Sequence, residues 1–166
     1  NNYLHIFEIT FKGFKGFFHN FEEIHIDLPY EELIVLEKNR KEIINNPRGS
    51  FRSENQEFSE VEGFVIHENK KVPIKLRLKG ERLSHYQEKD KTSYKIEVLG
   101  EEKIKDIRKF SFIKPRARNY IHEWLFHELA AEGKLIKLKY DFVNLKINGE
   151  SQGLYVFEEG FDKDLV

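Results

Sequence analysis

Apolar and polar residues alternate along much of the chain, and this pattern predicts a sheet of short strands. The alternation opens the chain at residues 3–11 and returns at residues 24–28. Further strand patterns follow at residues 64–67, 72–79, 92–99, 109–113, 141–147 and 154–158. Residues 68–71 predict a hairpin between two of these strands, and Asn148-Gly149 is a strong turn signal between the last two.

Two segments instead follow the 3.6-residue period of a helix. The first covers residues 31–46, and the second covers residues 118–132 and ends at Gly133. The second helix carries an apolar stripe that is expected to face the core, made of Ile121, Trp124, Leu125 and Leu129. The resulting fold class is α+β, a mostly antiparallel sheet with two main helices.

The composition excludes several classes of protein. The chain has 166 residues, of which 39% are hydrophobic, with 15 Phe and 7 Tyr, and this aromatic content excludes a disordered chain. No apolar run approaches the length of a membrane span. Because there is no Cys, disulfides, thiolate metal sites and thiol nucleophiles are excluded, and the scattered His residues predict no metal site. There is also no Met, which predicts that the chain is a piece of a longer protein.

The net charge of −1 conceals a cationic block in the middle of the chain. Residues 70–118 hold 16 Lys and Arg against 7 Asp and Glu, whereas the segments on either side are acidic. Such a block attracts an anionic ligand such as phosphate, or it is simply a solvated strand face. The acidic flanks argue against a nucleic-acid partner.

A series of short motifs resembles the CotH-type family, atypical protein kinases first associated with spore coats. Each motif is weak alone, but their order and spacing together are fairly specific. The run that precedes them, from Ile26 through the first helix, also resembles the corresponding segment of that family. The motifs are Val72-Pro73-Ile74-Lys75-Leu76-Arg77-Leu78-Lys79-Gly80, Lys91-Thr92-Ser93-Tyr94-Lys95-Ile96, Phe110-Ser111-Phe112, Arg118-Asn119-Tyr120-Ile121-His122-Glu123-Trp124, Tyr140-Asp141-Phe142-Val143, Ile147-Asn148-Gly149 and Gly153-Leu154-Tyr155-Val156-Phe157-Glu158-Glu159.

The resemblance implies a kinase N-terminal lobe. Residues 1–60 would form a strand and helix segment, and residues 61–166 would form the lobe itself, cut off at the hinge. The family's catalytic and metal-binding aspartates would then lie beyond Val166, so no catalytic residue is expected here. The full-length parent would bind ATP and Mg²⁺ and phosphorylate a protein at Ser or Thr, while this segment alone would be inactive.

Lysines in the cationic block are the candidates for contact with nucleotide phosphates. Lys95 lies mid-strand between Tyr94 and Ile96, which face the core, in the place that a nucleotide lysine would occupy. Lys79 and Lys91 are the alternatives. The alternative interpretation of Lys95, which the strand pattern alone favours, is an exposed strand lysine with no ligand.

Three glutamates are candidates to hold such a lysine or to lie near the nucleotide. The family motif favours Glu123, whereas helical geometry favours Glu128, which falls in the middle of the apolar stripe and would need a cation there. Glu159 ends the last strand beside Glu158, where the resemblance places the hinge. Adjacent strand carboxylates point to opposite faces, so these two cannot act as a dyad.

One departure from the family supports a second hypothesis. Where better-known members have an Arg-Gly-Asn loop, this chain has Lys79-Gly80-Glu81-Arg82, and an acidic residue suits a phosphate cover poorly. The alternative is therefore a CotH-like surface or coat protein that has a structural or binding role and no catalytic activity. The resemblance also suggests a cell-surface, extracytoplasmic or spore-coat location.

Overall fold

A computed structural model describes residues 21–45, 59–79, 91–135 and 137–160. The strand pattern predicted at residues 3–11 lies outside these ranges. The described residues form seven strands and two α-helices, and a short 3₁₀ helix (Pro115–Arg118) precedes the second α-helix. The helices are α1 (Tyr30–Asn45) and α2 (His122–Glu132), and the strands are β1 (Glu22–Asp27), β2 (Val61–His67), β3 (Lys70–Leu78), β4 (Tyr94–Val98), β5 (Lys109–Ile113), β6 (Tyr140–Ile147) and β7 (Glu150–Glu159).

The seven strands close into a barrel in the order β1-β2-β3-β4-β5-β7-β6. All neighbours are antiparallel except β1 and β6, whose parallel pairing closes the barrel. The expected α+β fold, a mostly antiparallel sheet with two main helices resembling a kinase N-lobe, is therefore wrong, because the sheet closes into a barrel. The reason is a contact between β1 and β6, segments more than 100 residues apart, which local periodicity does not encode.

The barrel interior is filled by alternate residues of every strand, as a small barrel requires. Tyr155, Phe110, Phe112 and Phe157 are among the largest fully buried side chains, and Phe110 stacks on Phe157 with ring centroids 4.7 Å apart. The predicted inward face of β4, with Ile96 and Val98 buried, is confirmed.

Helix α1 lies against the barrel through Leu36, which is buried, and through Leu33 and Ile43, which are partly buried. The helix predicted over residues 31–46 is confirmed. Gly63 on β2 permits the close approach of β1 beside it. A Cβ at this position would lie 2.6 Å from the carbonyl oxygen of Asp27.

A smaller apolar cluster lies on the outer surface of the barrel. Ile113, Val156 and Tyr140 form it, with Ala117 and Phe142 packed against them. The 3₁₀ helix and α2 lie over the same strands, so this outer face is covered at one end and open at the other. Side chains along a strand alternate between its two faces. The outward-facing residues of these strands therefore lie side by side where the covered part of the outer face ends.

Candidate functional site at the outer face of the barrel

The strand register places five outward-facing side chains in one row across the barrel. Pairing across β3, β4, β5, β7 and β6 brings them side by side. In order, they are Arg77, Lys95, Ser111, Glu158 and Tyr140. The row is cationic at one end and acidic further along, so it has the polarity to hold a charged ligand.

Lys79 reaches over the centre of this row. It follows β3 and lies two residues beyond Arg77, so the two side chains leave the strand on the same side. Its ammonium donates to a carboxylate oxygen of Glu158 at 2.8 Å and to the hydroxyl of Ser111 at 3.0 Å. Only 25% of the Lys79 side chain and 9% of the Glu158 side chain are exposed. The pair is thus a nearly buried, charge-assisted contact.

Arg118 holds the same carboxylate from the other side. One terminal nitrogen of its guanidinium lies 2.9 Å and 2.7 Å from the two oxygens of Glu158. Its Nε lies 3.4 Å from a carboxylate oxygen of Glu123 at the start of α2. The short 3₁₀ helix Pro115–Arg118 carries Arg118 at its end, and the next residue, Asn119, has a φ of 51° that turns the chain toward α2. Charges therefore alternate from Lys79 through Glu158 and Arg118 to Glu123.

Burial and neighbouring cations act on Lys79 in the same direction. Desolvation lowers the pKa of Lys79 below its ordinary value of 10.5, although Glu158 opposes this effect. Arg118 and Lys95 lower the same pKa further through their positive charge. An anion placed beside Lys79 would relieve this repulsion, so the site is electrostatically poised for a negatively charged ligand.

Tyr140 closes the acidic end of the row. Burial raises the pKa of its phenol, and the carboxylates of Glu123 and Glu158 raise it further, so the ring stays neutral. The imidazole of His127 lies against it, with ring centroids 5.1 Å apart. Tyr140 and His127 of α2 are both buried.

Three of the residues predicted as cofactor-binding lie in or next to this row. They are Lys79, Lys95 and Glu123, and Glu123 joins through Arg118 rather than by contacting a lysine. Lys95 stands between Arg77 and Ser111 as an exposed side chain. Whether any of them contacts a nucleotide stays a prediction.

The other three predicted residues lie elsewhere. Lys91 lies 3.3 Å from the carbonyl oxygen of Leu154 and over the ring of Tyr155. Glu128 is an exposed residue whose nearest cation, Lys137, is 3.4 Å away. Glu159 accepts a hydrogen bond from the backbone of Lys139 at 2.8 Å. None of these contacts brings the three residues to the row.

The burial expected for the apolar stripe of α2 is wrong. Ile121, Leu125 and Leu129 are about half exposed, whereas His127 and Ala130 are the buried residues of the helix. The surface beneath α2 is formed by Tyr140 and by the Arg118–Glu158 pair, which suits a polar and aromatic helix face better than an aliphatic one.

Sequence reasoning did not assign Arg77, Ser111, Arg118 or Glu158 to the site. A partial signal exists, since Ser111 stands between two buried Phe residues at an outward position. Arg77 likewise alternates with buried Leu76 and Leu78. Alternation gives the face of each strand, but the pairing of strands is needed to place these side chains together.

A second charged cluster joins β1, β2 and β6 at one end of the barrel. Lys105 donates to Glu22 at 2.6 Å and to Asp141 at 3.1 Å, and His67 contacts Glu22. Burial acts to raise the pKa of Glu22, but these hydrogen bonds and charges hold it below its ordinary value. Every carboxylate in this cluster lies near a cation, so these ion pairs stabilise the packing of the strand ends against each other.

Comparison with known proteins places the chain in a family. The model of the CotH kinase protein family matches residues 76–166, which is more than half of the chain. This chain therefore belongs to the CotH kinase protein family, as the motifs predicted. No curated protein matches the chain.

Two further properties concern only the residues that the structure describes. Neither helix there is long and apolar enough to cross a membrane. Over the same ranges, no three His, Asp or Glu side chains are grouped so that they could hold a metal ion.

Proposed function

We propose that this chain supplies the phosphate-binding surface of an ATP-dependent protein kinase, and that its parent transfers phosphate to Ser or Thr of a protein. The observation that carries the proposal is Lys79, a nearly buried lysine fixed by Glu158 in the middle of a cationic row. Phosphoryl transfer depends mainly on positioning and on neutralising charge, and a preorganised lysine serves both needs.

Each residue has a distinct role in this proposal. Lys79 presents its ammonium to a phosphate oxygen, and Lys95 adds a second positive charge from the neighbouring strand. Glu158 and Ser111 fix the position of Lys79, because both accept hydrogen bonds from its ammonium. Arg118 neutralises the second face of Glu158, which leaves Lys79 free to interact with an incoming anion.

The donor set of the row suits phosphate and not a bare cation. Phosphate oxygens accept hydrogen bonds from ammonium and guanidinium groups, and the row offers several such donors. The carboxylates of Glu158 and Glu123 already face Arg118, so they are not open to magnesium. We expect Mg²⁺ to arrive with the nucleotide and its protein ligands to lie outside the described residues.

Calorimetry with ATP and Mg²⁺ on the full-length parent tests the nucleotide. Replacing Lys79 by Ala should weaken binding by about tenfold or more, because a charge-assisted hydrogen bond and a fixed charge are lost. Lys75→Ala is the matched control, since Lys75 lies on the same strand and face but is 3.7 Å from Glu60. Equal affinity of the two variants would contradict the role of Lys79.

Activity of the full-length parent tests the second lysine. Lys95→Ala should abolish phosphate transfer, measured with radiolabelled ATP and a protein acceptor. Unchanged transfer would remove Lys95 from the site and leave the proposal resting on Lys79 alone.

A non-catalytic surface or coat protein is the second candidate function. The favouring observation is that Lys79 already has two partners, Glu158 and Ser111, as lysines in purely structural pairs do. The acidic Glu81 immediately downstream supports the same interpretation. Absence of binding at millimolar ATP with Mg²⁺ would favour this candidate over the kinase.

A further inference from the structure

Arg77 and Lys95 lie directly opposite each other on the outer face of β3 and β4. Within the described ranges, neither has a carboxylate at ion-pair distance. The neighbouring outward lysines differ, because Lys75 lies 3.7 Å from Glu60 and Lys109 lies 3.5 Å from a carboxylate on β4. Arg77 and Lys95 therefore differ from Lys75 and Lys109, which each lie near a carboxylate.

Like charges placed directly opposite in a sheet destabilise it. Here the repulsion extends to a third cation, because the positive charge of Lys95 also acts on Lys79. The carboxylate of Glu158 is shared between Lys79 and Arg118, so it does not fully balance the charge of Lys79. Arg77 and Lys95 have no carboxylate at ion-pair distance within the described ranges, and an external anion would supply the missing negative charge.

We infer that Arg77 and Lys95 form, together with Lys79, a binding site for a chain of phosphates, in which Arg77 holds the phosphate farthest from Glu158. The planar guanidinium of an arginine can donate two parallel hydrogen bonds to one phosphate, which a lysine cannot do. This inference rests on the proposed function for the nucleotide, but it assigns a ligand contact to Arg77, which neither the motifs nor the family match assigns.

The spacing of the strands favours a phosphate chain over a single phosphate. Neighbouring strands lie about 4.8 Å apart, so the row from Arg77 to Ser111, where the Lys79 ammonium is bound, spans about 10 Å. A single phosphate reaches only one neighbouring pair of these cations. A di- or triphosphate can contact Arg77 at one end and Lys79 at the other.

The test compares inorganic tripolyphosphate and ATP on the full-length protein and on two variants of equal charge. Arg77→Gln should weaken tripolyphosphate binding by about tenfold, because two charge-assisted hydrogen bonds are lost. Lys75→Gln removes the same charge from the same strand face and should change affinity by less than about twofold. The midpoint of thermal unfolding without ligand should not fall in Arg77→Gln, because a repulsion is removed.

Each outcome decides between the proposals. Equal weakening in the two variants would overturn the inference, because it would reduce the site to general electrostatic attraction. Nucleotide binding that depends on Lys79 but not on Arg77 would overturn the inference and leave the proposed kinase standing. A third outcome is that tripolyphosphate binding depends on Arg77, ATP binds no more tightly than tripolyphosphate, and no phosphate is transferred. This outcome would support a phosphate-chain site and contradict the kinase. No binding of either probe would overturn both.

Discussion

Glu158 occupies a position in which a single carboxylate faces two cations away from water. A buried charge is costly unless it is paired, so the contacts with Lys79 and Arg118 stabilise this carboxylate in its buried position. Removing the carboxylate leaves Lys79, three-quarters buried, without its counter-charge. The residue is therefore important for stability whether or not a ligand binds nearby.

Glu158→Gln should lower the free energy of unfolding by about 2 kcal/mol, because it leaves two cations without a counter-charge in a mostly buried place. Urea unfolding followed by tryptophan fluorescence measures this change. Glu97→Gln is the control, since its carboxylate is 49% exposed and its loss should cost less than about 1 kcal/mol. Equal effects of the two changes would mean that the pair with Lys79 is not buried in solution.

The pH dependence of Lys79 follows from the same contacts. Because its pKa lies below 10.5, a larger fraction of Lys79 than of an ordinary lysine is neutral, and hence nucleophilic, as pH rises toward that value. The carboxylate of Glu158 raises this pKa, so Glu158→Gln should shift the reaction of Lys79 with an acylating reagent to lower pH. Mass spectrometry of labelled peptides, with Lys75 as internal reference, measures the shift. A shift to higher pH would mean that Lys79 turns into solvent when the carboxylate is lost.

At the residue scale, the sequence predicts which face of a strand a side chain occupies, but not which other residue it contacts. Alternation with Tyr94 and Ile96 correctly places Lys95 on the outer face of its strand. The contact between Lys79 and Glu158 joins residues 79 positions apart, and no local pattern contains it. Helical geometry favours Glu128, whereas the family motif favours Glu123, and the geometric argument depends on an apolar stripe that the structure places toward solvent.

At the scale of elements, α2 shows how local amphipathicity can indicate the wrong face. The helix was correctly predicted to exist, but its aliphatic stripe lies toward solvent. Its buried residues are His127 and Ala130, and the imidazole of His127 packs against the ring of Tyr140. The surface that receives a helix decides which face is buried, and that surface comes from strands elsewhere in the sequence.

Two Gln substitutions at neighbouring positions test which face of α2 is packed. Leu129→Gln should change the free energy of unfolding by no more than about 0.5 kcal/mol, because Leu129 is 58% exposed. Ala130→Gln should cost about 1 to 3 kcal/mol, because a larger polar side chain enters a position that is only 8% exposed. Chemical denaturation of both variants measures the difference. A larger loss of stability in Leu129→Gln than in Ala130→Gln would mean that the aliphatic stripe predicted from the sequence is the packed face of α2.

At the scale of the whole molecule, barrel closure is the feature that sequence patterns did not predict. Hairpins such as β2–β3 and β6–β7 follow from turn signals and neighbouring strand patterns. The parallel pairing of β1 with β6 has no turn to mark it, because about 110 residues separate the two strands. Short turns mark only the pairing of strands that follow each other in the chain, so the sequence patterns contain no signal for this closure.

Removing β1 tests closure directly. A chain of residues 61–166 lacks the strand that joins β2 to β6, so it should expose two unpaired edges and self-associate. A chain of residues 21–166 should remain monomeric under the same conditions. Size-exclusion chromatography with light scattering measures both. A monomeric, cooperatively folding 61–166 chain would show that β1 is dispensable for the barrel.

Asn148 secures the closed barrel through three hydrogen bonds to the end of β1. Its backbone amide donates to Ile26, and its side chain both accepts from the amide of Leu28 and donates to the carbonyl oxygen of Leu28, at 2.7 and 2.9 Å. An Asn followed by Gly is also the dipeptide most prone to spontaneous deamidation, which requires the side chain to approach the next backbone nitrogen. With its amide held by Leu28, Asn148 is protected while β1 stays in place, and it becomes labile whenever β1 detaches. The mass gain of deamidation at Asn148 during storage should therefore record how often the barrel opens, and the Asp it leaves behind, which lacks the amide donor, would weaken the closure further.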